Sequence, residues 1–140
     1  MTTKAAATPS RKKASNIFKA AKSFCSFSVN DLQKAKEFYG QKLGLDVNET
    51  DEGLDLSTGN NSVFLYPKPN HTPASFTVLN FPVDDIDEAI EELASIGVTL
   101  EHYNLPDMKT DTRGIFRGPG HQIAWFKDPA GNILSVIEEQ

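Results

Sequence analysis

At 140 residues, 39% of them hydrophobic, the chain has the length of one domain and enough apolar side chains to bury a core. No apolar run approaches the ~18 residues of a membrane span and no apolar segment marks a signal peptide, so a membrane is not an expected partner and the expected location is cytoplasmic. The formal net charge of −5 is unevenly placed: six of the 14 Lys and Arg lie in residues 1–22, which hold no acid, leaving a net of −11 over residues 23–140 and arguing against nucleic acid as a partner of the folded part.

Residues 1–20 are rich in Ala, Thr, Ser and Lys and lack apolar periodicity before Ile17-Phe18. They read as a disordered basic tail; a transit peptide or a tether to a partner has the same composition. A single domain is expected over 21–140, its first module at about 22–67. Residues 22–29 alternate as a strand. The lone Cys25 excludes an intramolecular disulfide and reads as a small buried hydrophobe. Asn30 or Asp31 caps a helix running to about Lys42, with Leu32, Ala35, Phe38, Tyr39 and Leu43 on one face and Gly44 as its stop. Three short strands, 45–51, 53–58 and 61–67, follow between the turn signals Asp51-Glu52-Gly53 and Gly59-Asn60-Asn61. Pro67, Pro69 and Pro73 then mark a linker.

The second module, about 75–139, begins the chain over again. Phe27 to Glu37 (FSVNDLQKAKE) returns at an offset of 54 residues as Phe81 to Glu91 (FPVDDIDEAIE), and Leu43-Gly44-Leu45 matches Ile96-Gly97-Val98 one residue short of that offset. A strand is expected at 75–83. Asp85-Ile86-Asp87-Glu88 has the form of a capping box over a helix with Ile86, Ala89, Ile90 and Leu93 inward. A strand at 98–103, a polar loop at about 104–120, and strands at 121–127 and 132–138 complete the module, the last two joined by Asp128-Pro129-Ala130-Gly131-Asn132. Twice βαβββ is an α+β fold with mixed sheet. Two equivalent units meet about a pseudo-twofold axis, and that seam is the natural place for a ligand.

These residues carry a resemblance. Phe27-x-Val29-x-Asp31-Leu32-x-x-Ala35-x-x-Phe38-Tyr39, Leu43-Gly44-Leu45, and Asp128-Pro129-x-Gly131-Asn132 followed by Ile137-Glu138 resemble the vicinal oxygen chelate superfamily, the glyoxalase, bleomycin-resistance protein and extradiol dioxygenase group. The resemblance implies two βαβββ modules forming a cupped mixed β-sheet. It also implies a divalent metal held by His, Gln and Glu on four strands. The matching positions here are Phe24, Leu65 (Tyr66 if the register slips by one), Val78 and Ser135. Phe, Leu and Val coordinate nothing, so no metal and no other cofactor is expected.

Alternation carries the same resemblance around the cup. Phe24, Ser26 and Ser28 face it from the first strand, Leu65 from the fourth, Phe76, Val78 and Asn80 from the fifth, His121, Ile123 and Trp125 from the strand before the Asp128 turn, and Ile133, Ser135 and Ile137 from the last. Cys25, Phe27 and Val29 point under the helix. The expected ligand-binding set is Phe24, Ser26, Leu65, Phe76, Val78, Asn80, Ile123, Trp125 and Ser135. Trp125 is either a stacking wall or core. His121 is either a general base or a surface imidazole at a strand start. His71 and His102 are expected to face solvent. Arg113 and Arg117 are either a carboxylate clamp or solvated loop charges. Phosphate loops, GxGxxG, GxSxG and HExxH are absent. The cup's composition fits a small, partly apolar or aromatic organic molecule, and uncovered strand edges together with the resemblance imply a homodimer. The alternative is a lyase, isomerase or dioxygenase of the glyoxalase class with an atypical or absent metal and His121 as base.

Overall fold

The computed structural model describes residues 16–139. Of the tail expected over 1–20, residues 1–15 lie outside the described residues; 16–20 form one helical turn whose side chains are all exposed.

β1 (Cys25–Val29) leads into α1 (Leu32–Lys36) through Asp31, whose extended backbone (φ −145°) lets its carboxylate accept the Lys34 N–H at 3.1 Å. The expected helical span to Lys42 is kept, but its last six residues, Glu37–Lys42, are π-helical, and the Leu43 N–H reaches back five residues to Phe38 O at 2.9 Å. Consecutive Phe38 and Tyr39 are both buried there, their rings edge to face at 5.1 Å. β2 (Asp46–Glu49), β3 (Leu54–Thr58) and β4 (Asn61–Pro67) complete a sheet of order β1-β4-β3-β2, with β1 parallel to β4 and the other pairs antiparallel.

The second module repeats the plan. β5 (Thr77–Pro82) precedes α2 (Ile86–Ser95), capped by Asp85 through the Glu88 N–H at 3.2 Å. The Ile86 N–H goes across the module to Glu138 Oε1 at 2.8 Å. Gly44 and Gly97, matched in the repeat, follow the helices at φ 76° and 82°, a backbone that a side chain would strain. Next come a small hairpin, β6 (Asn104–Leu105) and β7 (Met108–Lys109), then β8 (Ile115–Gly118), β9 (His121–Lys127) and β10 (Ile133–Glu139). The sheet order β5-β10-β9-β8, with β5 parallel to β10, mirrors the first.

The strand expected at 98–103 does not form. β8 occupies the outer edge of β9 along residues 121–124, and the 98–103 segment holds that edge beyond β8 by one bond, Glu101 N–H to Trp125 O at 2.8 Å. The loop expected at 104–120 therefore contains β8, the second strand of the module's four-stranded sheet in chain order. The helices lie over one face of each sheet, and one buried cluster runs through both modules, with Phe38 of the first 6.5 Å from Phe126 of the second. Each such fully buried apolar side chain stabilises by about 1.5–3 kcal/mol.

Candidate functional site

The turn that carries the sequence resemblance is a structural joint between the modules. Asp128 is buried, and its carboxylate accepts four hydrogen bonds: from Ala130 N and Asn132 N on Oδ1, both at 2.9 Å, and from Tyr39 OH at 2.7 Å and Asn132 Nδ2 at 2.9 Å on Oδ2. The second Asn132 amide hydrogen reaches Ser28 O on β1 at 3.0 Å. Burial, and then the Asp128 charge and hydrogen bond, push the Tyr39 phenol far above its ordinary range, so it stays a donor.

The faces away from the helices are the cup. On the first sheet, β1 and β4 pair Ser26 with Phe64 and Ser28 with Tyr66, while Phe27 pairs with Leu65. Leu65 is fully buried on the helix side, so the expectation that it faces the cup is incorrect: the register is one residue later, and Tyr66, stacked on Phe64 at 6.3 Å, takes that place. Cys25 is exposed rather than buried, because it opens β1, the edge strand of its sheet. On the second sheet, Phe126, Leu134, Ala124 and Val136 face the helix, and Trp125, Ser135, Ile123 and Ile137 pair on the opposite face, as expected. Ser135 is buried and its hydroxyl donates to Asn80 Oδ1 at 2.5 Å. A bulge between Ile133 and Leu134 breaks the alternation on β5, and Thr77 as well as Val78 lines the seam.

That seam is a groove of about 410 Å³ between β1 and the start of β5. Ser26, Ser28 and Tyr66 line it from the first sheet, Thr77 and Val78 from the second, and Phe76 from the residue before β5. Among the described residues, no Asp, Glu, Lys or Arg lines it. Phe76 is two-thirds exposed at its mouth and Phe24, equally exposed, precedes β1. His71 corrects the expectation of a solvent-facing imidazole. It is half-buried in the groove, with Nδ1 2.6 Å from Ser28 Oγ and Nε2 3.1 Å from Ala130 O. Its partners lie 43 and 59 residues away, so local pattern gave no sign of them; the one available signal was the alternation Pro67-x-Pro69-x-His71-x-Pro73, which stiffens the backbone around the ring.

Other expected site residues stand outside this groove. Trp125 donates its indole N–H to Thr77 Oγ1 at 3.1 Å and packs against Tyr103 (5.4 Å between rings) and Phe116 (6.2 Å), which leaves it 8% exposed. His121 is half-buried, its ring 6.0 Å from Phe116. Arg113 pairs with Asp87 and Arg117 with Asp111 at 3.2 Å, so both are engaged within the module. Burial works against the Asp111 charge, but the N–H groups of Ile115 and Arg113 and the Arg117 side chain outweigh it and hold the carboxyl below its usual range.

The four positions matching metal ligands offer a hard cation little. Phe24, Val78 and Leu65 carry no donor, Tyr66 supplies only a neutral phenol, and the Ser135 hydroxyl is given to Asn80. Among the described residues no three His, Cys, Asp or Glu side chains gather as a metal-holding group. A larger cavity of about 570 Å³ lies on the helix side, between Leu43-x-Leu45 and α2. Its apolar floor is rimmed by Asp84, Asp85, Glu88 and Glu92, and none of the hydroxyls or imidazoles of the cup reaches it. The groove, where those groups meet, is the candidate site.

Comparison with known proteins agrees with this architecture. The family described as Glyoxalase/Bleomycin resistance protein/Dioxygenase superfamily matches residues 23–136. Among solved structures, the chain is similar to a glyoxalase family protein from Enterococcus faecalis (24% identity, TM-score 0.63, covering 87% of this chain and 99% of that one). It is also similar to TnmS3, an antibiotic binding protein from Streptomyces sp. CB03234 (26%, 0.57, 86% and 98%), and to lactoylglutathione lyase from Agrobacterium tumefaciens (22%, 0.58, 85% and 93%). No curated protein matches the chain.

Proposed function

The chain belongs to the Glyoxalase/Bleomycin resistance protein/Dioxygenase superfamily, and on that premise we propose that it binds a small, partly apolar or aromatic organic molecule in its cup without a divalent metal at the family's usual positions. The observation that carries this reading is the groove at the module seam, aromatic at its mouth, lined by Ser and Thr hydroxyls and, among the described residues, by no Asp, Glu, Lys or Arg, in a chain of net charge −5. Its volume is in the range of small-molecule sites, and a neutral lining suits a ligand held by packing and one or two hydrogen bonds. The likeness to an antibiotic binding protein supports the same reading. The protein works as a homodimer: Phe24, exposed ahead of the edge strand β1, leaves apolar surface that a second copy covers.

The test is extraction and mass spectrometry of small molecules from protein purified without added metal, paired with elemental analysis. A bound organic molecule and less than stoichiometric nickel, zinc, manganese or iron is the expected outcome; a stoichiometric metal coordinated at Tyr66 and Ser135 would sink the reading. Titration of the recovered molecule should change the fluorescence of Trp125, which is tied to the groove through Thr77. His121→Ala should leave binding within about tenfold; a rate loss of ~10²–10⁴ on any substrate would instead assign a general base and an enzyme. Sedimentation at micromolar concentration should give twice the 15.4 kDa of one chain.

A further inference from the structure

We propose that the groove selects a planar aromatic molecule bearing a hydrogen-bond donor, received by the Ser28 hydroxyl oxygen, because the Ser28 proton is committed to His71. The proposal rests on the reading that a small organic molecule occupies the cup, and it fixes the polarity of that molecule.

The polarity follows from a carbonyl. The Ala130 oxygen only accepts, so the ring atom facing it at 3.1 Å, His71 Nε2, carries the hydrogen. A neutral imidazole protonated on Nε2 has a bare Nδ1. Ser28 Oγ lies 2.6 Å from that atom and therefore donates its one proton to it. What Ser28 shows the groove is lone pairs. Two nearby side chains spend their donors in the same way. Both Asn132 amide hydrogens point into the protein, to Ser28 O at 3.0 Å and Asp128 Oδ2 at 2.9 Å. Trp125 gives its N–H to Thr77 Oγ1.

Tyr66 and Thr72, exposed at the mouth, and Ser26 and Thr77 along the lining keep a hydroxyl hydrogen that can turn to a ligand; at Ser28 that hydrogen is given to His71. A phenol, an aromatic amine or a ring N–H lying between Tyr66 and Phe76 completes the unfilled bond at Ser28. An ether or ketone in the same place sets lone pair against lone pair and leaves both unsatisfied.

The probes are 2-naphthol and 2-methoxynaphthalene, equal in ring system and differing in the donor, titrated against the full chain by amide NMR shifts at neutral pH. 2-Naphthol should bind about tenfold tighter, with the largest shifts at Ser28, His71 and Thr77. Ser28→Ala should bring the two affinities within about twofold, and Ser28→Thr, which keeps the hydroxyl, should retain the preference. Equal affinities in the unaltered chain, with shifts in the groove, would overturn the assigned polarity while leaving small-molecule binding standing. A preference that survives Ser28→Ala also overturns it. If neither probe moves a groove amide up to millimolar concentration, the proposal and the reading beneath it both fail.

Discussion

In the first module the hairpin β3–β4 turns through Gly59 and Asn60 in the open, with Thr58 paired to Asn61 across the turn. In the second, the hairpin β9–β10 stands at the same place in the same sheet order, and its turn, Asp128 to Asn132, is tied to the first module through Tyr39 and Ser28. The repeat thus supplies local structure in duplicate: an Asp cap on each helix, a positive-φ glycine after each, the same crossing of parallel edge strands. The joint between the copies is made where they differ. A duplicated unit cannot seal against its twin with identical surfaces at both ends and still leave one groove, and here the asymmetry sits beside that groove.

The largest expected effect breaks the comparison at its centre. Asp128→Ala removes the acceptor of four hydrogen bonds in a buried turn and leaves Tyr39 OH and Asn132 Nδ2 without it. The expected loss is about 3–5 kcal/mol in urea denaturation. Asn60→Ala, at the equivalent turn, should fall within about 0.5 kcal/mol of the unaltered chain. Similar losses at both turns would mean that the joint is not where the geometry puts it.

A second pair sharpens the assignment of faces. Leu65→Ala empties a fully buried site on the helix side and should cost about 2–5 kcal/mol of stability. Its neighbour Tyr66, on the groove, should lose under about 1 kcal/mol as Tyr66→Ala, while weakening 2-naphthol by on the order of 1–3 kcal/mol. If Tyr66→Ala unfolds the protein and Leu65→Ala does not, the strand faces are reversed.

Much of this was legible because helices and strands write their period into short windows. The caps Asp31 and Asp85, the bounds of β4, and the helix-facing pairs Phe27 with Phe81 and Val29 with Val83 stand where the pattern predicts. What failed to show is non-local. The family motif's spacing puts Leu65 on the cup, and one residue of register inverts a strand. The bulge at β5 brings Thr77 into the seam beside Val78. The segment 98–103 has a strand's composition, but β8 holds the edge it needs. His71 gains its role only when residues 28 and 130 arrive beside it.

Tyr39 allows the joint to be probed without emptying it. Tyr39→Phe keeps the buried ring and its contact with Phe38 and removes one bond to a carboxylate, for an expected loss of about 1.5–3 kcal/mol at pH 8. The phenol is pushed up in the folded state, so the sign of its pH dependence is fixed. Below the unfolded value of about 10 both states hold the proton and its contribution is complete. Above it the unfolded chain releases a proton that the folded chain keeps, and stability falls as pH rises, by up to about 1.4 kcal/mol per pH unit. The variant lacks that term, while the other tyrosines and the lysines titrate in both proteins and cancel. The stability gap between the two should therefore shrink between pH 9 and 11, measured by urea denaturation at each pH. A gap that stays constant across that range would show that Tyr39 ionises alike in both states, and that the bond to Asp128 does not hold its proton.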